Sequence, residues 1–128
     1  VSLQIPFPQN GIYTSTKLIR ENPDLVRRYM RAYVEALHFY KTQKEDTFRF
    51  MRKYSRVEDR KVLEEAWDWH AKFMPDAPYP PVDGYQLVLN DIAEKNPKAA
   101  QANVKEYIDA RFVKELEDSG FIKSLYRK

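Results

Sequence analysis

A mostly α unit with a minor N-terminal β element is the fold class this sequence predicts, on three observations. Only three of its 128 residues are glycine, and Lys, Arg and Glu are abundant, which favours helix over sheet. Apolar side chains at Val26, Tyr29, Met30, Tyr33, Val34, Leu37 and Tyr40 recur at the spacing of one helical face. β-Branched and aromatic stretches with strand character occur only near the N-terminus, over residues 1–5 and 12–16. A compact chain of this length buries roughly two-thirds of the surface its unfolded form exposes, enough for one core and one unit over residues 1–128.

The elements follow in order. Residues 1–5 alternate apolar and polar side chains as a half-buried strand does, and Pro6 and Pro8 stop it before Asn10-Gly11 turns the chain. Residues 12–16 read as a second short strand, with Thr16 then capping one helical turn to Glu21. Asn22-Pro23-Asp24 supplies an N-cap, a first-turn proline and an acidic residue at the positive end of the long helix. A junction at residues 42–44 leads to a second long helix over 45–54, whose Phe48, Met51 and Tyr54 share a face. Ser55 and Glu58 have capping-box spacing, which starts a helix running to Phe73 with Val62, Ala66, Trp69 and Phe73 on its buried side. Four prolines between Met74 and Pro81 make a loop.

Val82 or Asp83 begins the next helix, striped by Tyr85, Val88, Leu89 and Ile92 and ended at Asn96-Pro97. Residues 98–103 read as polar linker, 104–108 as a short helical turn, and Asp109 as the cap of a helix over 110–119. Gly120 stands where a left-handed C-terminal residue is needed, and Phe121, Ile122 and Leu125 pack the tail back on the body. The chain thus divides into strands over 1–16, a helical layer over 17–74, a proline loop over 75–81 and C-terminal helices over 82–128.

Composition excludes several classes. With no cysteine, the chain has no disulfide, thiolate nucleophile or Cys-based zinc site. Hydrophobic residues are 43% and charged residues 32%, ordinary for a water-soluble domain. The formal charge of +3 is spread over interleaved acids and bases, so no single-sign stripe supports nucleic-acid binding. The basic groups Arg27, Arg28, Arg31 and Arg49, Arg52, Lys53 have Glu35, Glu45 and Asp46 beside them and read as solvated helix faces. No apolar run of about 18 residues and no secretion-signal pattern is present, so neither membrane insertion nor a leader is expected. The first residue, Val1, suits a processed product, a fragment or a trimmed chain.

Catalytic and metal signatures are equally sparse. His38 and His70, the only histidines, lack partners at metal-ligand spacing and read as surface or packed imidazoles. His70 and Asp68 stand two apart on a helix and do not face each other. No nucleophile elbow, phosphate loop or paired-acid arrangement is legible, so no enzyme and no cofactor is expected. Tyr29, Tyr33, Tyr40, Trp67, Trp69 and Tyr79 could line a cleft, but core packing is the better reading, with at least one tryptophan partly exposed.

The series Gly11-Ile12-Tyr13-Thr14, Glu21-Asn22-Pro23-Asp24-Leu25-Val26, Pro78-Tyr79-Pro80 and Asp109-Ala110-Arg111-Phe112-Val113-Lys114-Glu115-Leu116-Glu117-Asp118-Ser119-Gly120-Phe121-Ile122 resembles the C-terminal portion of bacterial substrate-binding proteins of ABC importers. The group it resembles includes nitrate-, sulfonate-, taurine- and thiamine-precursor-binding proteins, and the likeness covers nearly the whole chain. It implies a piece of a two-lobed α/β periplasmic-binding fold that closes on a small solute and is received by an ABC permease outside the cytoplasm. It places Gln9, Asn10, Gly11, Tyr13 and Thr14 where the return crossover passes the cleft between lobes, as ligand-binding residues. The plainer alternative makes Asn10-Gly11 a turn and Tyr13 a strand residue. Helices built to cover a sheet that lies elsewhere would expose apolar faces, and self-association is then expected. Two other readings remain beside this one: a helical interaction or oligomerisation module without a ligand, and an enzyme related to thiamine-precursor synthesis.

Overall fold

A computed structural model describes residue 8 and residues 11–127. The chain is mostly helical: α1 (Thr16–Glu21), α2 (Pro23–Thr42), α3 (Lys44–Ser55), α4 (Arg60–Phe73), α5 (Val82–Ala93), α6 (Pro97–Ala100), a 3-10 turn (Val104–Tyr107), α7 (Arg111–Asp118) and α8 (Phe121–Leu125). The strand expected over residues 1–5 lies outside the described residues. The strand expected over 12–16 does not form, and no strand occurs among the described residues. β-Propensity alone does not make a strand without a neighbour to pair with. Instead Ser15, not Thr16, caps α1: its Oγ accepts the Leu18 N–H at 3.1 Å.

Helix α2 is the spine. Its 20 residues span about 30 Å at 1.5 Å per residue. Pro23 at its start loses no hydrogen bond, and Asp24 meets the positive end of the helix dipole. Met30, Val34 and Leu37 are its buried residues, and α1, α3, α7 and α8 all pack against it. On one side Met30 forms a cluster with Phe112 and Val113 of α7, surrounded by Ile19, Val26, Tyr33, Ala77 and Leu116. Arg27 Nε donates to Glu115 Oε2 at 2.8 Å and ties the same two helices at the surface.

On the other side α3 and α4 fold back against the end of α2. Phe48 is fully buried and Leu63 nearly so. The Trp67 ring lies edge-on to Phe48 at 6.5 Å between centroids, and its Nε1 donates to the Tyr40 carbonyl at 2.7 Å. Arg60 reaches Glu45 with its two terminal guanidinium nitrogens, at 2.6 and 3.1 Å. Tyr54 shares the expected stripe with Phe48 yet is 77% exposed.

The α3–α4 junction differs from the expected capping box. Ser55 closes α3, donating to the Met51 carbonyl at 2.8 Å, and Arg56 takes a left-handed φ of 60° as the C-cap. Asp59 then caps α4 by accepting the Lys61 and Val62 N–H groups. Moving the start of α4 changes nothing in its periodicity, but the face that packs is Leu63 and Trp67. Val62, Trp69 and Phe73, expected inside, are each about half exposed.

After the proline loop, α5 packs against α6 and the 3-10 turn. Residues 97–100, expected partly as linker, form α6 because the Asn96 side chain accepts the Lys98 N–H at 3.1 Å. Helix α7 begins at Arg111, and Asp109 accepts its N–H at 3.2 Å. Gly120 adopts a φ of 75°, a conformation other residues enter at a cost, and turns the chain into α8. Ile122 is buried there, and α8 contacts α2 and α7.

Candidate functional site

Residues 11–15 run in irregular conformation across the molecule, and two hollows open on either side of them. The larger is a groove of about 820 Å³ between this segment, α2, the end of α4, the proline loop and α7. The smaller, about 420 Å³, lies between the same segment, α5 and the 3-10 turn, and is lined by Val88, Leu89, Ile92, Val104 and Ile108 among others. Ile12, Tyr13 and Thr14 line both.

The large groove is built by local sequence rules. Helical spacing puts Tyr29 and Tyr33 on the flank of α2 beside the buried Met30 and Leu37. Trp69 and Phe73 come from the half of α4 that its packing on α3 leaves uncovered, with their rings tilted at 5.1 Å between centroids. The prolines of residues 75–81 cannot continue a helix, and their loop carries Tyr79 to the rim. Asp109 enters from just before α7.

Three of the five residues expected to bind ligand, Gly11, Tyr13 and Thr14, are brought together on the groove wall. Gln9 and Asn10 lie outside the described residues. Tyr13 is 73% exposed, and its hydroxyl lies 3.2 Å from that of Tyr85 on α5. Gly11 sits against this pair: a Cβ there would come within 2.7 Å of the Tyr85 hydroxyl and 2.9 Å of the Tyr13 hydroxyl. A side chain there would have to push these two hydroxyls aside, and the turn expected at Asn10-Gly11 rests on Asn10, which lies outside the described residues.

Titrating groups around the groove are pulled by identifiable neighbours. Arg111 donates to both oxygens of Asp109, at 2.9 and 2.7 Å, and holds that carboxyl below the usual range. Tyr79 donates to Glu117 at 2.6 Å, and this bond, more than burial, pushes the phenol up to about 12. Burial, aided by the bond to Tyr13, lifts Tyr85 to about 12 as well. Burial raises Tyr33. His70 holds its Nδ1 at 2.7 Å from the Ala66 carbonyl, so Nδ1 carries the proton and donates. That contact orients the His70 ring, which lines the groove, and no group of three or more metal-binding side chains occurs among the described residues.

Sequence reasoning missed most of the groove. Trp69, Phe73 and Tyr29 were expected in the core, and they are exposed on its wall. The available signal was the double apolar stripe of α4: Leu63 and Trp67 on one side, Val62, Trp69 and Phe73 on the other, more than a single buried face can use. Among the described groove residues, the hydrogen bond that His70 makes is to the Ala66 carbonyl. The groove presents aromatic rings and a few polar atoms, a composition common in small-molecule sites. Comparison of this chain with protein-family models, curated proteins and solved structures found no match.

Proposed function

We propose that this chain belongs to a non-catalytic receptor that captures a small solute for ABC import outside the cytoplasm, with the large groove as one wall of the binding site. The observation that carries the reading is the meeting of Gly11, Tyr13 and Thr14 with Trp69, Phe73 and Tyr79 on one open concave surface. The order of sequence motifs points the same way. A groove open along its length encloses a small molecule poorly, and tight capture then needs a second wall from the opposing lobe of the same two-lobed fold. The ligand would favour the closed form by touching both walls, and an ABC permease would accept that form. No helix among the described residues is long and apolar enough to cross a membrane, which fits a receptor that meets its permease at the surface.

The test is calorimetry on the full-length receptor against nitrate, sulfonates, bicarbonate, pyrimidines and small organic cations. A saturable heat with at least one of them, weakened at least tenfold by Tyr13→Ala, is expected. Absence of binding across every class would overturn the reading. A second reading, a helical association module, is favoured by one observation away from the groove: Phe39 and Phe50 stack edge-on at 6.1 Å and both remain partly exposed. Sedimentation separates the two, since association through that pair is lost in Phe50→Lys while solute binding is not.

A further inference from the structure

The second half of α3 stands apart from the groove and carries positive charge that its surroundings do not neutralise. Residues 49–56 hold four cations, Arg49, Arg52, Lys53 and Arg56, and no acid, in a chain whose formal charge is +3. The acids that the sequence sets beside them are engaged elsewhere. Glu35 pairs with Arg31 at 3.3 Å, and Glu45 is held by Arg60 at 2.6 Å. Asp46 reaches Arg49 at 3.2 Å, but Arg52, Lys53 and Arg56 make no ion pair among the described residues. The acids of the turn, Glu58 and Asp59, are followed by Arg60 and Lys61, so the α3–α4 tip keeps its positive excess. Aromatic rings stand among these cations. Arg49 lies over the Phe50 ring at 5.2 Å and Lys53 over the Tyr54 ring at 5.4 Å. Phe50 is 43% exposed and Tyr54 77%, and Phe39 of α2, edge-on to Phe50, is 37% exposed. Spacings of three and four residues make Arg49, Phe50, Lys53 and Tyr54 neighbours on the helix surface. Neither hollow takes a residue from α3, so these rings are presented outside both concave surfaces.

From this mixture of exposed rings and cations without ion-pair partners, we infer that the outer face of α3 is a peripheral docking surface for an anionic lipid bilayer. The cations meet headgroup phosphates, each strengthening binding about fivefold. Phe50 and Tyr54 enter the boundary between headgroups and acyl chains, where amphipathic side chains are favoured. No helix among the described residues is long and apolar enough to cross a membrane, so the contact stays at the surface. A second copy fits this face poorly. A twofold contact through it would set Arg49 and Lys53 against their own counterparts. A nucleic-acid strand is tracked by cations along a groove, whereas these lie on the last two turns of one helix and the residue after it. Docking leaves the large groove free, because the groove draws on the end of α4 and the tip adjoins its start. The inference is independent of solute capture, since none of its residues lines the groove.

The experiment is cosedimentation of the full-length protein with vesicles of equimolar phosphatidylglycerol and phosphatidylcholine, beside vesicles of phosphatidylcholine alone. Binding to the anionic vesicles only is expected, and it weakens at least tenfold in about 1 M NaCl, where the screening length shrinks to about 3 Å. Changing three cations together, as Arg52→Gln, Lys53→Gln and Arg56→Gln, weakens it about 100-fold. Phe50→Ser with Tyr54→Ser, at unchanged charge, weakens it about tenfold. Circular dichroism of both variants matches the parent, because these side chains lie outside the core. Equal binding to the two vesicle types would overturn the inference, as would either variant binding as tightly as the parent. Retention of polyglutamate without vesicle binding would overturn it in favour of an acidic protein partner. A dimer lost in Phe50→Lys, again without vesicle binding, would overturn it in favour of a second copy. Solute calorimetry on the triple variant reads the groove separately and stays at the parent value whichever way the vesicles answer.

Discussion

Phe48→Ala tests where this fold keeps its stability. The side chain is 0% exposed, at the meeting of α2, α3 and α4. Its ring sits edge-on to Trp67 and has Lys44 and Arg60 over it at 5.6 and 5.3 Å from the centroid. Core Phe-to-Ala changes cost about 3–5 kcal/mol, and an edge-to-face aromatic pair accounts for about 0.5–1.5 kcal/mol beyond area burial. The neighbours here are held from outside, Trp67 by its bond to the Tyr40 carbonyl and Arg60 by Glu45, so collapse into the void is limited. We therefore expect a loss of about 4 kcal/mol, a large share of the roughly 5–15 kcal/mol that folded domains possess. At about 2 kcal/mol per molar urea, the unfolding midpoint falls by about 2 M. Tyr54→Ala, on the same apolar stripe of α3 but exposed, should change the stability by less than about 0.5 kcal/mol. Circular dichroism melts in urea measure both. A Phe48→Ala loss under about 1 kcal/mol, or equal effects at the two sites, would refute the packing argument.

Three further outcomes are expected. Asp59→Ala removes the cap of α4 and should cost about 1 kcal/mol in the same assay, whereas Glu58→Ala, which a capping box would make costly, should leave stability within about 0.5 kcal/mol. Gly120→Ala should destabilise by about 1 kcal/mol through backbone strain alone, since nothing lies within 4 Å of the added Cβ, and Gly120→Asn should recover part of the loss. Tyr79, Tyr85 and Tyr126 should ionise only near pH 12 in an ultraviolet titration, above the ordinary phenol value of 10.0. Because these phenols are raised in the folded state, their stabilising share is complete below pH 10 and is lost as pH climbs through 12. For Tyr126 burial of the hydroxyl is the larger cause of the rise, and the neighbouring Asp76 carboxylate adds to it.

Signals that act within a few residues were the legible part. Asn22-Pro23-Asp24, the proline-rich loop and Gly120 mark boundaries by fixing or freeing backbone angles, which no distant contact overrides. Periodicity located α2 and its buried Met30, Val34 and Leu37 for the same reason. What the sequence hid is the choice between equivalent faces. Helix α4 carries two apolar stripes, and packing on Phe48 and the bond to the Tyr40 carbonyl turn Trp67 inward while Trp69 faces the groove. Residues 12–15 have strand composition, but a strand is a relation between two segments, and here the neighbour across the chain is a tyrosine of α5. Gly11, Tyr13 and Thr14 line the groove as neighbours in sequence. Tyr29, Tyr107 and Asp109 reach the same wall from three separate elements, by packing that no local rule encodes.

The strip from Ile12 to Thr14 is a shared partition, with one hollow on each flank and the Tyr13–Tyr85 contact as its brace. A partition cannot move without resizing both rooms. Any guest that pushes it aside to enlarge its own chamber shrinks the neighbouring one, so the two spaces are mechanically opposed.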